Sequence, residues 1–466
     1  MKLIALPFLL LLSSCYVGPN YNKPTTIAMP GKFKESNIQW QEAKPNADID
    51  RGEWWKIYND SILNDLENKL NNKNQNIISA EHSYKAALAL VSQARSSYLP
   101  TIGATADISK QQEQKTIGNN KTATQISKSH ELELSSSWEL DLWGNIAYSV
   151  ESNLAAAKAS GASLASTKLS MQASLAQYYF ELKTVNQDQQ LLDNIVTANK
   201  KLLNYNQNRY KAGIANQTDI HDSENNYQTA LAAALNNQVT KAQYQHAIAA
   251  LIGESPSSFS LDKLEGNKDI AISIPLMIPS NLLERRPDIA KSEKLVQQAN
   301  AEIGSAKTAF FPSLSLAASS SMIGSGLGNL LSMPELTWSL GPQLALGLLD
   351  GGARFAQIKY ARENYQASVA SYRQTVLSAF SEVEDQLVSL KSLNKQVIIQ
   401  NKNAKNAKNI FQMSSNQYKA GTVDYAMVLN SQISYYNADK IASDTIGSKR
   451  IAEIGLIKAL GGGWKE

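Results

Sequence analysis

The chain has 466 residues, enough for two or three ordinary domains or one elongated one. Its 45 basic and 41 acidic residues leave a net charge of +4, without the basic run of a nucleic-acid binder or the acidic tail of a solvating arm. Apolar residues make up 43% and aromatics 8%, which argues against disorder, and the single cysteine excludes an intramolecular disulfide.

The N-terminus reads "MKLIALPFLLLLSSC": one basic residue, Lys2, an apolar stretch from Leu3 to Leu12, then small residues before Cys15. This is the layout of a secretory signal over residues 1–14. "LSSC" resembles a bacterial lipobox, which implies a diacylglyceryl group on the Cys15 thiol, and no Asp follows at position 16 to hold the lipoprotein at the inner membrane. The bland alternative is an ordinary signal peptide with an incidental cysteine. Past this segment no apolar run approaches the ~20 residues of a transmembrane helix, so any membrane crossing falls to strands.

From His130 to Leu142 the sequence "HELELSSSWELDL" sets Leu132, Leu134, Trp138, Leu140 and Leu142 on one face and Glu131, Glu133, Ser135, Ser137, Glu139 and Asp141 on the other. This period-two alternation predicts a strand. "LTWSLGPQLALGL" from Leu336 to Leu348 repeats it, and weaker alternating runs follow Pro100 and Pro312. Four strands in two hairpins are predicted, over about 101–112 with 129–142 and 313–324 with 335–348. In a soluble sandwich the apolar faces would need a second sheet, and none is evident between the long helical stretches. An apolar-out, polar-in membrane barrel fits better. Four strands cannot close around a pore, and even eight make a barrel filled by side chains, so several chains must contribute.

The remainder reads as helix. Met171, Leu175, Tyr178, Leu182, Val185, Gln189, Leu192 and Val196 form a heptad seam, and Val383, Leu387, Leu390 and Val397 recur in the second half. A helix from Ile146 to Lys211 would hold about 65 residues and run roughly 100 Å at 1.5 Å per residue. It ends in "RYKAGIANQTDI", with Asn216 and Thr218 available to cap a return helix. "QYKAGTVDYAMV" repeats the phrase 208 residues later, and at that offset Gly144, Gly213 and Gly253 meet Gly352, Gly421 and Gly461. "SYLP" ending at Pro100 likewise matches "AFFP" ending at Pro312, slightly off register. Each half is therefore helix, hairpin, long helix, tip turn, return helix. The first repeat spans 61–253 and the second 281–461, with a segment 15–60 before them and a connector 254–280 between.

The stretches "CYVGPNYNKP" (Cys15–Pro24), "WWKIYND" (Trp54–Asp60), "LLERRPDIAKSEKLVQQANAEIGSAKTAFFPSLSL" (Leu282–Leu316) and "LLDGGAR" (Leu348–Arg354) resemble the TolC-like outer-membrane factors, in their lipoprotein subgroup. The resemblance implies a mainly helical fold with a membrane β part. Four strands per chain would contribute to a homotrimeric 12-strand barrel, continuous with a periplasmic coiled-coil tunnel. The termini and connector would form an equatorial belt. It implies the outer-membrane exit duct of a tripartite efflux pump for small molecules, with a periplasmic adaptor and an inner-membrane transporter as protein partners. The protein would sit in bacterial outer-membrane lipid, anchored through Cys15 and reaching into the periplasm.

By the same resemblance, Tyr210, Lys211, Ala212 and Gly213, with Tyr418, Lys419, Ala420 and Gly421, form adaptor-docking tips. The periplasmic gate falls at Asp219, Asp424, Met427 and Asn430. Family members commonly place aspartates in the segment that here reads "AMVLNS" (Ala426–Ser431), so Met427 and Asn430 replace an acidic ring. Closure would rest on amides, Met427 and Leu429. Alternatives are a type I protein-secretion duct and a trimeric coiled-coil surface or structural protein. No enzymatic activity is expected: the four histidines, His82, His130, His221 and His246, lack metal-ligand spacing, and no nucleophile motif or phosphate loop occurs. Apart from covalent lipid on Cys15, no cofactor, metal or nucleic acid is implied.

Overall fold

The structure is a computed structural model that describes residues 17–25, 34, 52–117, 121–261, 264–269, 272, 285–324 and 336–462. Cys15 and the signal segment lie outside the described residues. The elements are a 3-10 turn (Trp54–Tyr58), α1 (Ser61–Lys73), α2 (Gln75–Ser96), β1 (Thr101–Ile117), β2 (Lys121–Leu140), α3 (Asn145–Lys211), α4 (Gln217–Leu251), α5 (Pro287–Thr308), β3 (Ser313–Gly324), β4 (Leu336–Ala345), α6 (Ala353–Lys419) and α7 (Tyr425–Ala459). Among the described residues no helix is long and apolar enough to cross a membrane.

The internal duplication is visible element by element. α3 and α6 are both 67 residues long and α4 and α7 both 35, each pair offset by 208. α2 and α5 are both 22 residues and offset by 212, and β1 and β3 start at the same spacing. The four-residue change in offset falls between the strands, where the two hairpins differ in length. All six glycines paired at the 208 offset have positive φ: +83° and +88° at Gly144 and Gly352, +75° and +74° at Gly213 and Gly421, +69° and +86° at Gly253 and Gly461. Only glycine takes this conformation without a Cβ penalty.

The chain divides into two compact units. One holds residues 1–25, 84–160 and 292–372. Its sheet has order β1-β2-β3-β4, antiparallel throughout. The two predicted hairpins are joined, because β2 pairs with β3 in the register Leu132↔Met322 and Trp138↔Leu316. Every pairing keeps even residues opposite even ones. Ile102, Leu134, Leu316, Trp338 and Leu344 therefore share one face, while Glu133, Ser319, Ser339 and Thr337 share the other. On the polar face hydroxyls pair across strands, Ser319 with Ser339 at 2.8 Å and Ser321 with Thr337 at 2.9 Å.

Four expected strand ends move by two residues or more. The first hairpin continues to Ile117 and resumes at Lys121, past the alternating part, because "QQEQ" is polar on both faces and Ile126 alone among its partners is apolar, which leaves no alternation to read. β2 stops at Leu140 rather than 142. Asp141, expected on the polar strand face, instead caps α3, accepting from the amides of Ile146 and Ala147 at 3.0 and 2.8 Å. β4 stops at Ala345 rather than 348, so Leu346 and Leu348 lie beyond it.

The other unit holds residues 26–83, 161–291 and 373–466. Its core gathers Trp54, Trp55, Leu63 and Leu70 against Leu175, Tyr179 and Leu182 of α3, with Ile248 and Ile454 from the return helices. The buried face of α3 is broader than the heptad seam, since Ala173, Ala176 and Phe180 join it. Asp60 ties this core to α3. Its Oδ1 caps α1 through the amides of Ile62 and Leu63, while its Oδ2 accepts from the Tyr179 hydroxyl at 2.8 Å and from Lys183 Nζ at 3.0 Å. Partial burial works against the charged form, but these hydrogen bonds win and hold the Asp60 carboxyl below the usual range.

In this unit the helices lie in the lateral order α4, α3, α7, α6. Leu192 and Ile195 of α3 pack on Ala230 and Ala234 of α4, and Ile433 and Tyr436 of α7 join the same cluster. Phe411 of α6 stacks on Tyr435 of α7 at 6.3 Å. Two glycines of α7 set the close approaches: a Cβ at Gly447 would meet Thr184 Oγ1 of α3 at 2.3 Å, and one at Gly455 would meet Gln386 Oε1 of α6 at 2.6 Å.

Candidate functional site

The duplicated phrase forms two equal turns. At the first, Ile214 N–H donates to Arg209 O (3.0 Å) and Gly213 N–H to Tyr210 O (2.9 Å); at the second, Thr422 N–H donates to Gln417 O (3.0 Å) and Gly421 N–H to Tyr418 O (2.9 Å). This pair of reversed bonds around a left-handed glycine is the Schellman helix end. Tyr210 and Tyr418 are equally exposed, and Lys211, Ala212, Lys419 and Ala420 are exposed beside them. The turns are neighbours: Tyr425, just past the second, packs on Tyr418 (5.2 Å) and on Tyr205 of α3 (5.9 Å). All eight residues expected at the tips thus meet at one end of the unit.

The four gate candidates divide by task. Asp219 accepts from the Asn216 amide at 3.2 Å, and Asp424 accepts from the Met427 amide at 2.9 Å, so both carboxylates hold the first turns of return helices. Asn216 begins α4 as expected; Thr218 lies inside the helix. Met427 and Asn430, three residues apart, are both exposed on α7. Leu429, expected beside Met427 at the constriction, is buried, because its position on the helix turns it to the packed side.

Sequence reasoning missed two carboxylates that share one lysine, Asp188 buried and Asp444 partly exposed. Lys440 Nζ of α7 bridges Asp188 Oδ2 of α3 at 2.9 Å and Asp444 Oδ2 at 2.8 Å. Burial pushes the Asp188 carboxyl up to about 7, and a hydrogen bond with Asp444 pushes the same way. Only the absence of Asp188 from the apolar seam could have signalled it.

The "ERRPDI" stretch has a structural task. Arg286 is buried and forks onto Asp288 (Nη2–Oδ2 2.7 Å, Nε–Oδ1 3.1 Å), while Nη1 donates to Glu382 Oε2 (2.8 Å) and to Ala459 O at the end of α7 (3.0 Å). At the 212 offset Asn74 stands in its place in the first repeat, and its Nδ2 donates to Leu251 O at the end of α4 at 2.7 Å. The motif after Cys15 is docked too. Gly18 N–H donates to the Tyr148 hydroxyl at 2.6 Å, Asn300 Nδ2 donates to Pro19 O at 3.1 Å, and the Tyr21 hydroxyl donates to Glu293 Oε1 at 2.9 Å.

The family model for outer membrane efflux proteins matches residues 66–254 and 278–462, one stretch for each repeat. The chain belongs to the outer membrane efflux protein family. Among its relatives, the probable efflux pump outer membrane protein TtgC of Pseudomonas putida is 26% identical over 98% of this chain and 94% of its own. Nodulation protein T of Rhizobium leguminosarum bv. trifolii is 28% identical over 91% of this chain and 89% of its own. Among solved structures, the outer-membrane channel OprN matches 97% of this chain and 100% of its own at a TM-score of 0.81 and 26% identity. This family member is mainly helical with a four-stranded antiparallel sheet as its membrane part.

Proposed function

We propose that this protein is the passive exit duct of a tripartite efflux pump, moving small molecules from periplasm to exterior. The observation that carries this reading is the sheet. Its apolar face is exposed, Trp338 to 75%, while its opposite face is a field of serine, threonine and glutamate. Such a sheet is stable against lipid on one side and water on the other, and only once its edges β1 and β4 are paired. Three copies supply 12 strands, enough to enclose water rather than side chains.

The inner-membrane transporter supplies energy, and a periplasmic adaptor binds the tips through Tyr210, Lys211, Ala212, Gly213 and their counterparts Tyr418 to Gly421. Exposed Ala and Gly admit a partner backbone closely, and the lysines face carboxylates. Relatives of similar identity are named for toluene, for antibiotics and for solvents, which supports a duct whose cargo is chosen elsewhere in the pump. Cys15 carries the lipid; Cys15→Ser should lose palmitate labelling while the strands still insert.

The test is a deletion strain. Accumulation of small toxic compounds should rise and return to normal with the gene restored, and the purified chain should form a trimer that conducts in planar bilayers. Unchanged accumulation together with lost surface attachment would favour the structural-rod reading.

A further inference from the structure

The two faces of the sheet differ in charge as well as in polarity. All the acidic residues of the four strands, Asp107, Glu113, Glu131, Glu133 and Glu139, occupy odd positions, on the face that carries Ser319 and Ser339. The even positions, on the apolar face, hold no acidic residue. They do hold Lys110 of β1 and Lys128 of β2, and the register sets these two directly opposite each other. Both are exposed, and among the described residues neither side chain makes an ion pair or a hydrogen bond.

Residues directly opposite in an antiparallel pair have Cβ atoms about 5 Å apart, so like charges there repel. No carboxylate on that face relieves the repulsion, since every acidic side chain of the strands belongs to the other face. Two ammonium groups so placed are destabilising alone and suited to one anion held between them.

Their level along the strands says which anion is at hand. Trp138 lies close to the helical end of the sheet, where its indole Nε1 donates to Tyr98 O at 3.0 Å. An aromatic residue in that place marks a membrane–water boundary. From Leu140 to Leu132 the even positions of β2 are apolar or small, and Ile108, opposite His130, is the last apolar even residue of β1. The ten residues from Leu140 to His130 make about 34 Å of strand, or about 25 Å of height at a tilt of about 40°. That height is the apolar band of an outer-membrane barrel. Lys110 and Lys128 come one pair later, about 5 Å further out, at the end of the hairpin remote from α2 and α3. They stand in the headgroup layer, where lipid phosphates are.

We propose that Lys110 and Lys128 together bind the phosphate of an outer-leaflet glycolipid headgroup, on the lipid side of the sheet. The assignment rests on the outer-membrane channel reading, in which the helices lie in the periplasm and the β1–β2 turn faces the exterior. One phosphate accepts from both ammonium groups, which replaces their repulsion with charge-assisted hydrogen bonds. The acyl chains of the same lipid lie along exposed Ile108, Leu132 and Leu134 below it. A zwitterionic headgroup brings its own ammonium and gains less from the pair.

The test uses the full-length protein in a neutral, phosphate-free detergent, with three probes: bisphosphorylated lipid A, the same lipid dephosphorylated, and inorganic phosphate. The parent should bind lipid A about 30-fold more tightly than Lys110→Gln combined with Lys128→Gln, the factor expected for two lysines at an anionic membrane surface. Dephosphorylated lipid should bind both proteins alike, and inorganic phosphate should not displace lipid A at equal concentration. Lys110→Arg with Lys128→Arg keeps both charges and should keep binding. Without lipid, Lys110→Gln alone should melt above the parent, because it ends the repulsion; with lipid A the order should reverse. Equal affinity of the parent and the double-glutamine variant, or an unreversed melting order, would overturn the site. Tight binding of inorganic phosphate alone would overturn its assignment to lipid. Conductance of the same samples in planar bilayers separates the two readings. A conducting parent that fails these comparisons loses only the lipid site, whereas a parent that never conducts loses the channel reading.

Discussion

Tyr148 is clasped between two glycines. A Cβ at Gly304 would fall 2.5 Å from the Tyr148 ring, and one at Gly18 would fall 2.5 Å from its hydroxyl and 2.6 Å from Gly304 Cα. The segment that follows Cys15 therefore has a seat only while both positions lack a side chain. Gly304→Ala should cost about 1–3 kcal/mol by overpacking, seen as a lower melting temperature. Tyr148→Phe should cost about 1 kcal/mol through the lost hydrogen bond. If Gly304→Ala melts like the parent, the clasp is not as tight as drawn.

Asp188 makes the other residue-scale prediction. Burial raises its folded pKa to about 7, above the unfolded value near 3.8. Between those values the folded state holds the extra proton, so stability should fall as pH rises from about 4 to about 7 and then level off. Lys440, hydrogen-bonded to both carboxylates, offsets part of the cost of the charged form. In Asp188→Asn this slope should flatten while Asp444 and Lys440 still pair. Melting curves across that pH range decide it; an unchanged slope would place the proton elsewhere.

At the scale of elements, the repeats keep a contact while changing its chemistry. Asn74 and Arg286 both fasten the C-terminal carbonyl of a return helix to the start of a repeat, one as an amide and the other as a guanidinium. Glycines repeat the theme nearby. A Cβ at Gly253 would meet Lys73 O at 2.6 Å, and one at Gly461 would meet Arg285 O at 2.9 Å. Arg286→Ala strands Asp288 and Ala459 O at once. Because Asp288 and Glu382 reach solvent, the expected loss is about 2–3 kcal/mol rather than the full cost of a broken buried pair. Asn74→Ala removes one neutral bond and a cap to Asn76 and Ile77, for about 1–2 kcal/mol. Denaturant unfolding of the two variants should preserve that ranking; the reverse order would mean that the Arg286 network contributes little net stability.

At the scale of the whole molecule, the proposed gate lacks its acidic ring. Asp219 and Asp424 are occupied in capping, and Met427 and Asn430 present an apolar and an amide group. Assembled channels should show little block by divalent cations from the periplasmic side. Asn430→Asp should create block, because carboxylates gathered on a symmetry axis repel one another unless a cation neutralises them. Asp424→Asn is a suitable control, since asparagine caps helices as well as aspartate does. Strong parental block that survives Asp424→Asn would reveal acidic groups at the gate other than these.

Period two along "HELELSSSWEL" by itself determined which side chains share a sheet face, because alternation is a property of a single strand. The 208-residue offset determined the duplication and both tip turns, because a left-handed helix end demands glycine wherever it occurs. Only the tertiary structure decided that β2 pairs with β3, that Asn74 and Arg286 share one task, that Asp141 and Asp424 are caps, and that Leu429 turns inward while Met427 does not. Each of those depends on a partner brought close by folding or on the angle at which a helix meets its neighbours. A sequence read locally carries the period of an element but not what that element is packed against.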